Sequence, residues 1–188
     1  NSRGLARYAK GDLEGAIEDY DRAIEFDPRY AMAYNNRGLA RYAKGDLEGA
    51  IEDYDRAIEI DPRFALAYTN RGDIYRSQGQ HQLALQDLDR AISLNPRSTQ
   101  AFLTRGRTYS SLGQFPEAIE DLDQAIFLNP NNGLACISRG ATYQQMGQQP
   151  PSKCDVTGSG IATGTFTFDD GGAVGNFALY DGTSLPGA

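Results

Sequence analysis

Histidine occurs once in this chain and cysteine twice, and no apolar run approaches the roughly 18 residues that cross a bilayer. These scarcities exclude much chemistry. His81 has no second histidine and no nearby cysteine with which to build a metal or acid–base site. Cys136 and Cys154 form no ligand cluster; reduced thiols are the simpler reading, with a single disulfide as the alternative. HExxH, CxxC, Walker-type glycine loops and GxSxG are all missing, so the chain reads as non-enzymatic, with no cofactor. Basic residues are outnumbered, giving a formal charge of −7, which argues against nucleic acid or an anionic membrane as the main partner. No signal-peptide pattern opens the chain, and the cytoplasm is the default location. Its opening "NSRG" matches the interior "NNRG" at Asn35–Gly38, as if the chain began part-way through a unit, so a targeting segment could precede it.

What is present is repetition. "GLARYAKGDLEGAIEDYDRAIE" runs from Gly4 to Glu25 and again, letter for letter, from Gly38 to Glu59. The period of 34 continues beyond the duplicate through Gly4, Gly38, Gly72, Gly106 and Gly140, and through Pro28, Pro62, Pro96 and Pro130. Alanines keep step at Ala16, Ala50, Ala84 and Ala118, then at Ala23, Ala57, Ala91 and Ala125. A fixed period of this length marks stacked supersecondary units.

The unit from Ala31 to Phe64 shows what is stacked. "AMAYNNRGLARYAK" lacks proline and is rich in helix formers. Gly45 can then take the left-handed conformation that ends a helix. In "LEGAIEDYDRAIEI", Leu47, Ala50, Ile51, Tyr54, Ala57 and Ile58 share one helical face, and Pro62 stops the run. The unit is a helical hairpin. Helices this short are marginal alone, so each hairpin must bury its apolar face against neighbours.

With Ala31 counted as position 1, Tyr34, Gly38, Ala50, Tyr54, Ala57 and Pro62 fall at positions 4, 8, 20, 24, 27 and 32. The next unit repeats them as Tyr68, Gly72, Ala84, Leu88, Ala91 and Pro96, with Tyr75 at position 11; Phe102, Gly106, Tyr109, Ala118, Leu122, Ala125 and Pro130 follow. This pattern resembles the tetratricopeptide repeat. The resemblance implies an all-α fold: a right-handed superhelical solenoid of antiparallel helix pairs over residues 1–148. That span holds a partial first unit, three full units and the first helix of a fifth.

Departures from the family pattern carry information. Position 7, usually leucine, is Arg3, Arg37, Arg71, Arg105 and Arg139. These could form a basic ladder for an acidic ligand or an internal ion-pair ladder. An arginine buried without a partner costs several kcal/mol against a total stability of about 5–15 kcal/mol, which favours internal pairing. Acids recur in step: Asp19, Asp53, Asp87 and Asp121 at position 23, and Asp21, Asp55, Asp89 and Asp123 at position 25. The expected pairs are Arg37 with Asp53, Arg71 with Asp87 and Arg105 with Asp121. Arg7 and Arg41 replace the position-11 tyrosine, Cys136 replaces the position-4 aromatic as a buried inert thiol, and His81 acts as a packed spacer.

The resemblance further implies that ligands meet positions 2, 5, 9, 12 and 13 of the first helices, on the concave side. The candidate partner-binding residues are Asn35, Leu39, Tyr42, Thr69, Asp73, Arg76, Leu103 and Arg107. A peptide or helix would set apolar anchors against Leu39 and Tyr42 and an acidic group near Arg76 and Arg107. The carboxylate clamp of chaperone-binding relatives fits badly. Asn36 and Asn70 match one of its requirements, but position 5 carries no lysine, and Gln100 and Thr104 stand where basic residues belong.

After "YQQMGQQ" the period stops, and "PPSKCDVTGSG" forbids the helix that should follow. Residues 149–188 read as a Pro/Gly-rich linker and a small β-hairpin or disordered tail: a designed cap, or the product of a fusion, frameshift or truncation. The expected function is a scaffold or adaptor that binds a protein or peptide. A docking array within a larger enzyme and a part of an exported structural protein are the alternatives, and the sequence leaves the oligomeric state open.

Overall fold

A computed structural model of the chain describes residues 1–150. Among them run nine α-helices and no strand: α1 Ser2–Ala9, α2 Leu13–Phe26, α3 Ala31–Lys44, α4 Leu47–Ile60, α5 Ala65–Ser77, α6 His81–Leu94, α7 Thr99–Ser111, α8 Phe115–Leu128 and α9 Gly133–Gln145. The expected β-like tail lies outside the described residues.

Local chemistry sets the boundaries. The Asp12 and Asp46 carboxylates accept the backbone N–H of Gly15 and Gly49 at 3.0 Å, satisfying otherwise orphaned donors at the starts of α2 and α4. Helix α3 ends where Gly45 turns left-handed at φ 87°, a conformation that costs a side-chain-bearing residue steric energy.

Helices pair as α1–α2, α3–α4, α5–α6 and α7–α8, and each second helix also packs on the first helix of the next hairpin. The first helices α3, α5, α7 and α9 touch one another in succession, whereas the second helices have no comparable mutual contact. First helices therefore line the tight inner side of a solenoid, and second helices fan outward.

Alanine makes that stacking close. Ala16, Ala50, Ala84 and Ala118 on the second helices are fully buried, as are Ala33, Ala67, Ala101 and Ala135 on the first helices. Ala91 packs in one cluster with Ala101 of the next hairpin, and Ala125 with Ala135 likewise. Larger side chains at position 24, Tyr20, Tyr54, Leu88 and Leu122, are enclosed between their own hairpin and the next, packing with Ala40, Ile74, Ala101 and Ala135 in turn. Burying such a side chain contributes about 1.5–3 kcal/mol, and each hairpin obtains it only with its neighbour in place.

The duplicated units pack differently from the later ones, and the substitution at position 11 explains why. Tyr54 fills the space beside Gly38, where an added Cβ would lie 2.7 Å from its ring. Arg41, at position 11, donates to the Gly49 carbonyl at 3.1 Å and lies 3.2 Å from Asp53. Arg7 repeats the bond to the Gly15 carbonyl at 2.9 Å. In the third unit, Tyr75 at position 11 packs against the cluster containing Leu88, so the aromatic ring comes from the first helix and a leucine takes its place on the second. Cys136 is nearly buried but disulfide-bonded, which corrects the expectation of an inert thiol.

Candidate partner-binding groove

The arginine ladder fixes the geometry on which the inner face is built. The Arg37 guanidinium reaches Asp53 of its own hairpin at 2.5 Å and Asp21 of the preceding hairpin at 2.6 Å. Arg71 does the same with Asp87, at 2.7 Å, and with Asp55. Arg105 bonds Asp121 at 2.7 Å and Asp89 at 2.6 Å, while Arg139 reaches Asp123 at 2.5 Å. The position-23 carboxylates are buried and the position-25 carboxylates stay about half exposed. Three of these guanidiniums also lie over aromatic rings: Arg37 over Tyr34, Arg71 over Tyr68 and Tyr75, Arg105 over Phe102 and Tyr109. The hydrogen bond to Asp121 raises the Arg105 pKa above its ordinary value against the opposing effect of burial. The ladder is thus both a hairpin clamp and a rivet between hairpins. Sequence reasoning missed the second role, although the position-25 acids recur at the same period.

Position 5 does not face a partner. Asn35, Thr69 and Leu103 are 2%, 2% and 1% exposed, so these three candidates are corrected to packing residues. The cause is the crowding of first helices on the inner side, which turns position 5 into the seam between successive hairpins. Asn70 donates to the Asn35 side-chain carbonyl at 2.9 Å, and Asn36 donates to that of Asn1 at 3.0 Å. Thr69 donates to the Ala65 carbonyl at 3.0 Å, and Leu103 packs with Leu122, Ala125 and Ala135. Asn36 and Asn70, the two residues that matched the carboxylate clamp, are both engaged in this seam.

The other five candidates remain accessible. Tyr42 on α3 is 38% exposed, and Leu39, Asp73, Arg76 and Arg107 are half-buried. Arg76 is not free: its Nη2 lies 2.9 Å from Asp73, one turn earlier on α5. Arg107 on α7 stands within electrostatic reach of Arg76, Asp73 and Tyr42, which brings three successive first helices to one place. Burial, then repulsion from Arg76, lowers the Arg107 pKa, the opposite of the ladder arginines. Burial raises the Tyr54 pKa, and Tyr8, Asp53, Tyr42 and Asp73 lie within electrostatic reach of its phenol.

Sequence reasoning passed over position 2 when it chose candidates. Met32, Leu66 and Leu134, near the starts of α3, α5 and α9, are 37%, 50% and 47% exposed. Their signal was legible as an apolar residue at a position where packing does not demand one. His81 opens α6 half-buried, its Nδ1 enclosed and without a hydrogen-bond partner among the described residues. No group of three or more metal-ligating side chains occurs among the described residues, and no helix there is long and apolar enough to cross a membrane.

A family profile described as TPR repeat matches residues 4–45 and 38–75, and a second, described as tetratricopeptide repeat, matches 72–149. The chain belongs to the tetratricopeptide-repeat (TPR) family. Comparison with curated proteins returns no match. Among solved structures, the crystal structure of MamA is similar at 30% identity and a TM-score of 0.66, covering 77% of this chain and 84% of that one. YrrB, described as a TPR protein with an unusual peptide-binding site, is 25% identical with a TM-score of 0.61, covering 77% and 74%. The first TPR of Spaghetti (RPAP3), solved with the HSP90 peptide SRMEEVD, is 26% identical with a TM-score of 0.61, covering 65% and 97%. These likenesses place the TPR solenoid here on firm ground, and with it a protein-interaction role of the general kind such arrays serve.

Proposed function

We propose that this TPR array is a non-enzymatic scaffold or adaptor that receives a peptide or a helix along its inner face. One observation carries the reading. Leu39, Tyr42, Asp73, Arg76 and Arg107 stay accessible on three successive first helices, while neighbouring positions are consumed by the seam and the ladder. A rigid surface of mixed apolar, aromatic and charged side chains is the usual chemistry of a protein-binding patch, with tyrosine and arginine as its anchors. The peptide complex of Spaghetti and the peptide-binding site named for YrrB support the same use of the fold.

Site-specific photo-crosslinking tests it. A benzophenone side chain at position 42 of the full chain should trap a protein that the same group at position 52, on α4, does not. Leu39→Ala with Tyr42→Ala should abolish capture without changing helical content. Equal trapping from both positions would remove the groove from consideration.

A further inference from the structure

Resting on that groove reading, we infer that Arg107 is the partner's anchoring point: it takes an aspartate or glutamate side chain of an acidic peptide, while Arg76 does not. The half-buried guanidiniums of Arg37, Arg71 and Arg105 each hold two aspartates, and Arg41 holds Asp53 and a backbone carbonyl. Arg107 is also half-buried, yet its guanidinium has no ion pair or hydrogen bond among the described residues. The acid within its electrostatic reach, Asp73, is already bound to Arg76 at 2.9 Å. Two arginines and one aspartate therefore leave the cluster one positive charge in excess, in a chain whose net charge is −7.

Burial without a counter-ion disfavours the Arg107 charge, and a carboxylate would relieve that cost while accepting a charge-assisted hydrogen bond. The Tyr42 phenol, on the same cluster, offers a second donor and an aromatic surface for a neighbouring apolar residue. A side-chain carboxylate fits better than a chain terminus. Arg107 sits on α7, and the inner face continues past it onto α9, so a bound segment has room to run on in that direction.

The test is selection from a library of random peptides, displayed as internal fusions without a free C-terminus, on the immobilised full chain. Selected sequences should be enriched in Asp or Glu beside an apolar residue. Synthesised with amidated ends and a fluorescent label, they should bind about tenfold more weakly to Arg107→Gln. Replacing the acid by its amide in the peptide should cost about the same, and the two losses should not add. Arg97→Gln, on an exposed loop, should change affinity less than about twofold. Circular dichroism of Arg107→Gln guards against a folding defect. Peptides that need Tyr42 but show no acid enrichment and ignore Arg107→Gln would overturn the inference and leave the groove reading intact. Peptides indifferent to both Tyr42→Ala and Arg107→Gln, or no selection at all, would overturn both.

Discussion

Arg105 holds Asp89 at 2.6 Å across the boundary between two hairpins, with the same guanidinium that clamps Asp121 inside its own. The two bonds are unequal in what they do. Asp121 is buried, so removing it leaves the half-buried Arg105 guanidinium with Asp89 alone; Asp89 is more than half exposed, where water and salt screen the pair. Asp121→Ala should cost about 3 kcal/mol in urea unfolding. Asp89→Ala should cost less than about 1 kcal/mol, with the loss shrinking further in added salt. Equal costs would mean that the ladder clamps and rivets with the same strength.

Glycine at position 8 makes a second contrast. A Cβ on Gly106 would meet Leu122 Cγ at 2.8 Å and the Ala118 backbone oxygen at 3.1 Å, and that backbone cannot move without shifting α8. Gly106→Ala should therefore lower stability by about 1–3 kcal/mol despite a helix-propensity gain of about 1 kcal/mol. Gly133, at the start of α9, has open space around it, so Gly133→Ala should be neutral or slightly stabilising. Thermal unfolding of the two variants side by side checks the claim.

The buried Tyr54 phenol makes stability pH-dependent on the alkaline side. Burial raises its pKa in the folded state, so above the ordinary tyrosine pKa of about 10 the unfolded chain loses this proton while the folded chain keeps it. The unfolded state then binds fewer protons, and stability falls as pH rises through that range. Below about pH 10 the contribution is fully present. Tyr54→Phe should flatten the decline in urea midpoint between about pH 9 and 11, relative to the parent chain.

How much of this was legible beforehand follows from which forces a sequence displays. The hairpins could be read from Gly45, Pro62 and the face of α4, because caps, breakers and amphipathic spacing act within a few residues. The partnership of Arg37 with Asp53 could be read because an unpaired buried charge is too costly to tolerate. Asp21 as its second partner could not, since that bond depends on how closely one hairpin stacks on the next. The same blind spot placed Asn35, Thr69 and Leu103 on the open face, when the curvature of the stack closes over them. Neighbour-to-neighbour distance is a tertiary quantity, and no single unit encodes it visibly.

Asp73 offers the sharpest test of the groove, because it decides which arginine is available. Its carboxylate lies 2.9 Å from Arg76 and within electrostatic reach of Arg107, so it neutralises one cation and softens the field of the other. Asp73→Asn keeps the shape and removes the charge. Arg76 would lose its partner, and the cluster would hold two uncompensated guanidiniums in place of one. An acidic peptide should then bind several-fold more tightly, with a steeper loss of affinity as salt rises, because more of the attraction is electrostatic. Adding Arg107→Gln to Asp73→Asn should return affinity only part of the way, since the released Arg76 now competes for the carboxylate. Anisotropy titrations at two salt concentrations distinguish this from simple loosening of α5, which would weaken binding in every background.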